Sequence, residues 1–306
     1  MNDYVMLAAG IVCAAGGAEL FVRGAVGIAF WLRIAPGIVG ATVAAFATSS
    51  PELAVGVSAA LNGVPQIAFG DVLGANIVNV GLVLALAVLI SAMKCPRDSI
   101  RRDFSAALLT PVLTAVLAVD GEISRIDGAV LMAAFCIWLT MTVISARRQR
   151  GDVVPELDGG SRWRLIAVLL IGLVILFAAG HLIVAGAKGI ARTMGISEFV
   201  IGAVIVAVGT TVPELATTIV SKLRGYDEVG LGTVLGSNVF NACFIVAVAA
   251  MIHPIPVDWN EASVALIFGF TVLLCAWPGR RSIIVRWQGI LLLLLYGANV
   301  TLLLFT

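Results

Sequence analysis

Charge is what this chain has least of. Its 306 residues include 19 Lys or Arg and 18 Asp or Glu, so charged side chains make up 12% of the total, where a soluble domain has about 25%. A soluble core would be left with too little polar surface to cover it. A net charge of +1 also gives no reason to expect nucleic acid as a partner. The five cysteines, Cys13, Cys95, Cys136, Cys243 and Cys275, stand singly with no C-x-x-C spacing, which excludes a disulfide framework and a zinc site. H-E-x-x-H and G-x-S-x-G are both missing, and no catalytic residues are assigned. The first apolar run has no basic stretch before it and continues past Cys13 to Phe21, so it reads as a retained helix and not as a cleaved leader.

What remains is 60% apolar, with 32 glycines and a mean hydropathy of +1.08. A helix needs roughly 20 apolar residues to cross the hydrocarbon. Breaking the sequence at charged and Pro/Gly positions predicts an all-α membrane protein of ten spans, near 4–22, 36–61, 67–92, 104–119, 127–146, 163–184, 198–221, 229–252, 261–277 and 285–305. The longest polar connection is Arg147 to Arg164. With ten spans, sixteen of the 19 Lys and Arg residues fall on one side, and only Arg125, Lys188 and Arg192 on the other. The positive-inside rule then places both termini outside and the Arg147–Arg164 linker in the cytoplasm.

The sequence also repeats itself. At an offset of 162, 16 of 40 positions between Gly40 and Asn79 are identical to those between Gly202 and Asn241, including Thr48/Thr210, Pro51/Pro213, Glu52/Glu214, Asn76/Asn238 and Asn79/Asn241. Five spans per half make the second half enter the membrane from the opposite face. The halves, 1–146 and 163–306 around a linker 147–162, therefore read as an inverted-topology repeat. In such repeats, secondary transporters bind near the midplane.

Glu52, in FATSSPELA, and Glu214, in VGTTVPELA, lie in the middle of apolar spans. An ionised carboxylate at that depth costs at least a few kcal/mol and marks a functional site by default. Each follows a proline that frees the carbonyl four residues back, at Ala47 and Gly209. Thr48, Ser49, Thr210 and Thr211 lie one turn before the glutamates. Hydroxyls, carbonyls and carboxylates are hard oxygen ligands suited to calcium or sodium. The next span of each half supplies Asn79 and Asn241 as amide ligands, with Asn76 and Asn238 read as packing or supporting residues. Glu19 is expected at a helix end. Asp71 has no acidic match, its counterpart being Thr233, and is read chiefly as a helix-start carboxylate, with a lesser chance of lining the ion path.

At these residues the sequence resembles the calcium/cation antiporter superfamily, the sodium/calcium exchangers, and in particular their short prokaryotic members. G-[ST]-x-x-P-E, followed 27 residues after its Glu by the last Asn of G-[SA]-N-x-x-N, occurs twice, with Ala47 in place of the first Gly of the first copy. The resemblance implies ion sites between the halves built from Glu52, Glu214, Asn79, Asn241 and the hydroxyls of Thr48, Ser49, Thr210, Thr211 and Ser237. It adds the backbone carbonyls of Ala45, Thr48, Ala207 and Thr210. It also implies long first and sixth helices acting as a sliding gate, with Gly24, Gly27, Gly186 and Gly189 as smooth faces. The first half carries Ala75 where the family has a serine, matched by Ser237 in the second. The implied activity is exchange of Ca2+ for a monovalent cation, sodium first, with proton-coupled or potassium-dependent exchange as the alternative and a channel less favoured. The expected surroundings are the cell (inner) membrane, with the lipid bilayer and inorganic cations as the only partners, no protein partner and no cofactor.

Overall fold

The computed structural model describes residues 2–148, 162–193, 207–279 and 282–305. Most of the central linker, Arg150, Arg280, Arg281 and the start of the seventh expected span, with Gly202, lie outside these residues.

Helix α1, Asp3–Leu32, is started by the Asn2 side chain, which accepts the Tyr4 N–H at 3.0 Å, the usual way to satisfy a free amide at a helix start. The break expected at residue 22 does not occur. Arg23 sits one turn after Glu19 and pairs with it, so the charge is accommodated inside the helix. The helix ends ten residues later at Arg33, which adopts φ 56° and donates its N–H back to the last turn. Glu19 is therefore not at a helix end: it lies inside α1, where it also accepts from Arg224 at 2.6 and 2.8 Å. Its counterpart α7, Arg162–Thr193, also outruns the expected 163–184.

These two long helices form the most extensive pairing in the molecule. Their backbones approach closely because glycines line the contact. A methyl group at Gly17 would meet Ile175 and the Gly172 carbonyl, and one at Gly24 would press into Leu169. Gly27 faces Leu165, Gly186 faces Leu7 and Gly189 faces Asp3. Small residues at a membrane helix interface permit this close approach.

The second expected span is a bent pair, α2 (Pro36–Thr48) and α3 (Ser50–Leu61), meeting at 46°. The bend falls at Ser49, φ −86° and ψ 12°, just before Pro51. The second half repeats it. The short α8 (Ala207–Thr210) and α9 (Val212–Leu223) meet at Thr211, φ −86° and ψ 6°, just before Pro213. Helices α4 (Pro65–Ile90) and α10 (Asp227–Ile252) follow. Each contains a π-helical turn, Asn79–Leu84 in α4 and Phe240–Ile245 in α10. Helices α5 (97–117), α6 (Arg125–Arg148), α11 (Trp259–Ala276) and α12 (Arg286–Phe305) complete the described helices, α6 packing on α10 and α11 and α12 on α4.

Among the described residues, five helices, α1, α4, α6, α7 and α10, are long and apolar enough to cross a membrane, and the α2–α3 pair makes a sixth if counted as one span. The chain is mostly helical but not wholly. Strands β1 (Met93–Lys94) and β4 (Ile283–Ile284) pair antiparallel, as do β2 (Glu122–Ile123) and β3 (Ile255–Pro256). Each ladder joins a strand of the first half to one of the second.

The charges at the helix ends are anchored individually. Asp103 is fully buried and accepts from Arg102 at 2.8 and 2.9 Å, Ser99 at 2.8 Å and the Trp138 indole at 3.2 Å. Arg102, counted from the sequence among loop charges, is thus buried in the π turn that opens α5. Lys222 bridges the Ala92 carbonyl and Asp227 at 2.8 and 3.0 Å, tying the end of α9 to the start of α10 and to the segment before β1.

Candidate cation site

The two bends bring Glu52 and Glu214 into the interior, each 1% exposed. Ser49, three residues before Glu52, reaches across to Glu214. The groups around them cross between the halves. The Ser49 hydroxyl lies 3.0 Å from Glu214 Oε1 and 2.9 Å from the Ser237 hydroxyl, which is itself 3.3 Å from the same carboxylate oxygen. The Thr48 hydroxyl donates to the Ala44 carbonyl at 3.0 Å, one turn back in the same helix. Thr48, Ser49, Thr211 and Ser237 are all buried.

The glutamates are not held alike. Ala75 offers Glu52 no hydroxyl where Ser237 serves Glu214, and Thr211, the match of Ser49, turns its hydroxyl to the Val208 carbonyl at 3.0 Å. Both carboxylate oxygens of Glu52 lack a hydrogen-bond partner among the described residues, whereas Glu214 lacks one only at Oε2.

The four asparagines form a closed reciprocal network. Asn76 Nδ2 donates to the Asn238 carbonyl at 3.1 Å and Asn238 Nδ2 to the Asn76 carbonyl at 3.2 Å, while Asn79 Nδ2 donates to Asn238 Oδ1 and Asn241 Nδ2 to Asn76 Oδ1, both at 3.2 Å. Each of these bonds spends an amide N–H on the network, and Asn79 Oδ1 and Asn241 Oδ1 are left buried without a donor among the described residues. Asn76 and Asn238 thus orient Asn79 and Asn241, a role their duplication hinted at without revealing the crossing. The π turns begin at or just before these ligand candidates, as such turns often do at functional positions.

The carbonyls freed by proline do not behave as the sequence suggested. The Ala47 carbonyl accepts from the Ser50 hydroxyl at 2.7 Å, and the Gly209 carbonyl faces Gly180 of α7. The Ala45 carbonyl accepts the Ser49 N–H at 3.0 Å and has the Thr48 hydroxyl at 3.3 Å. Ala207 and Thr210 begin and end α8, as Ala45 and Thr48 bound the last turn of α2.

Two carboxylates and two amide oxygens, several of them without donors among the described residues, are therefore buried between helices in an apolar protein. An unsatisfied buried acceptor costs about 1–3 kcal/mol, and more if charged, so this site is built for something that supplies positive charge. Oxygen donors without sulfur or imidazole suit hard cations. Fold and site together define a membrane protein whose interior offers buried oxygen donors of the kind that suit cations.

Comparison with known proteins gives this class its family. The family model described as sodium/calcium exchanger protein matches residues 3–144 and 164–305, and the chain belongs to that family. It is 33% identical over 261 residues to the putative antiporter CaxA of Alkalimonas amylolytica, covering 83% of this chain and 82% of that one. It is 27% identical to the sodium/calcium exchanger MaX1 of Methanosarcina acetivorans, over 97% of both chains. A solved structure of the sodium-calcium exchanger NCX_Mj superposes with a TM-score of 0.84 at 32% identity, covering 98% of this chain and 99% of the other. The family is one of integral membrane transporters and not of enzymes.

Proposed function

We propose that this protein is a secondary active antiporter that exchanges Ca2+ for a monovalent cation, sodium in first place, by alternating access. Glu52 and Glu214 hold one calcium between them, with Asn79 and Asn241 completing the cage through their amide oxygens. The hydroxyls of Thr48, Ser49, Thr210, Thr211 and Ser237, with the carbonyls of Ala45, Thr48, Ala207 and Thr210, serve calcium and the flanking monovalent sites. The single observation that carries this reading is the set of buried oxygens on Glu52, Glu214, Asn79 and Asn241 that have no donor among the described residues. Empty, the two carboxylates repel each other at membrane depth. Neutralised by calcium or by monovalent cations, they can pass through a closed intermediate, and that condition makes exchange obligatory.

The architecture that goes with this reading is ten spans in two inverted halves, 1–146 and 163–306, joined by a linker 147–162. The family model's two separate matches, 3–144 and 164–305, support the division, and the duplicated bends and π turns support the repeat. The charge split favours both termini outside and the linker in the cytoplasm of a cell (inner) membrane. The sliding gate is α1 against α7, across their glycine-lined contact.

The test is to load proteoliposomes with calcium and impose a sodium, potassium or pH gradient in turn. Release driven by sodium supports the leading reading, and release driven only by protons or potassium replaces the coupling ion. Release with no exchangeable cation outside makes the protein a channel.

A further inference from the structure

Three hydroxyls continue the line of Glu214 along α9. Thr217, Thr218 and Ser221 stand three, four and seven residues after it, so the four side chains share one face of the helix. All three are fully buried, and their hydroxyl oxygens lack a hydrogen-bond partner among the described residues, as does Glu214 Oε2. The apolar residues between them go to other neighbours. Leu215 and Ile219 join the large core that includes residues of α4 and α10, while Ala216 and Val220 pack towards α1. Between these two seams Thr218 lies against Gly230 of α10, where an added methyl would come within 3.2 Å of its Cγ2 and its carbonyl oxygen. The stripe runs on to the end of α9, where Lys222 is paired with Asp227 and so opposes a passing cation less.

Other buried helix hydroxyls are not left this way. Thr48, Thr110, Thr142 and Thr233 are buried, and each donates to a carbonyl three or four residues back, at 3.0, 2.8, 2.9 and 2.8 Å. That bond is open to any Ser or Thr within a helix. Thr217, Thr218 and Ser221 do not make it, and an unmade buried hydrogen bond destabilises the state that buries it. The cost disappears once water or a hydrated cation reaches the stripe. The matched positions of the first half, Val55, Gly56 and Ala59, carry no hydroxyl. Gly56 and Ala59 are buried there, with Gly56 close against Ile245. Of the two glutamates, Glu214 therefore has a polar track leading away from it along its own helix, and Glu52 has an apolar one.

We propose that Thr217, Thr218 and Ser221 line the route by which cations pass between Glu214 and the face of the membrane that carries Lys222 and Arg224, a route closed in this structure. The proposal rests on the antiport reading above, whose charge split makes this the cytoplasmic face. A cation leaving a carboxylate trades protein oxygens for water in steps, and hydroxyls one turn apart offer oxygens at intervals of about 5.4 Å along the helix. Because the first half has no such track, the two faces of the protein are not equivalent. The unpaired hydroxyls favour opening on the cytoplasmic side.

Two measurements on the full chain in reconstituted vesicles test this. Ser221→Cys is treated during calcium exchange with a charged, membrane-impermeant thiol reagent, and the mass of the peptide containing it reads the labelling apart from the native cysteines. Labelling is expected to reach the fraction seen at Arg224→Cys, exposed at the same end of α9, and to be absent at Ile219→Cys on the apolar seam. The second measurement is tracer calcium exchange by a variant combining Thr217→Val, Thr218→Val and Ser221→Ala, which removes the hydroxyls with little change of shape. It should exchange roughly tenfold or more slowly while binding calcium in detergent as the wild type does, and Thr217→Ser with Thr218→Ser should keep the wild-type rate. An unlabelled Ser221→Cys in exchange-active vesicles, a wild-type rate without the hydroxyls, or loss of binding together with flux would overturn the proposal and leave calcium antiport standing. A wild type that exchanges no tracer would overturn the antiport reading and this proposal with it.

Discussion

Asn76 and Asn238 each spend an amide on the opposite half, and through it they fix which atom of Asn241 and Asn79 is left to bind. Removing such a supporting partner of a metal ligand typically costs 10–100-fold in affinity. Asn238→Ala should therefore weaken calcium binding by about tenfold or more, with maximal exchange rate less affected, as read from calcium titrations of flux. An unchanged half-saturating concentration would remove the asparagine network from the site. Ala75→Ser restores the hydroxyl that Ser237 provides in the other half. It should raise apparent sodium affinity without altering calcium affinity, measured by sodium inhibition of tracer calcium uptake. This second expectation rests on an asymmetry at one side chain: Glu214 is held by Ser49 and Ser237, and Ala75 stands where a second hydroxyl would serve Glu52.

At the level of helices, the long α1–α7 contact is where bulk would matter for motion. Gly17→Val would drive a branched side chain into Ile175 and the Gly172 backbone, and overpacking of this kind costs about 1–3 kcal/mol. If the contact slides during transport, turnover should fall while equilibrium calcium binding in detergent is retained. Loss of both together would make the contact purely structural. Asp103 is a static anchor instead. Asp103→Ala leaves Arg102 buried without its partner, a change worth about 3–5 kcal/mol, and should lower the unfolding temperature in detergent far more than Asp98→Ala at an exposed position. Much of this level was legible in the sequence. The runs around Glu52 and Glu214 marked their spans, and the prolines were read for the carbonyls they free and not for the bends beside them. The ends of α1 and α7 were not legible, because Arg23 looks like a boundary until Glu19 and Arg224 are placed beside it. The π turns were also hidden, since they change the number of residues in a turn without changing apolar composition.

For the whole molecule, the offset of 162 carried the most information, because it paired glutamates and asparagines whose meeting no single span could disclose. It could not disclose that the asparagines cross between halves, since that depends on packing between helices distant in sequence, or that the freed Ala47 carbonyl is taken by Ser50. Protons neutralise the same carboxylates that hold calcium, so acidification should reduce calcium flux most strongly at low calcium, and added calcium should restore it. Initial rates across pH at two calcium levels check this, and an acid effect independent of calcium would contradict competition at the site. The central claim is that Glu52 and Glu214 are the transport carboxylates. Tracer calcium uptake into vesicles containing Glu52→Gln or Glu214→Gln, each confirmed monodisperse, measures it most directly. The account predicts uptake at the level of empty vesicles in both variants, and near wild-type uptake in either one would contradict it.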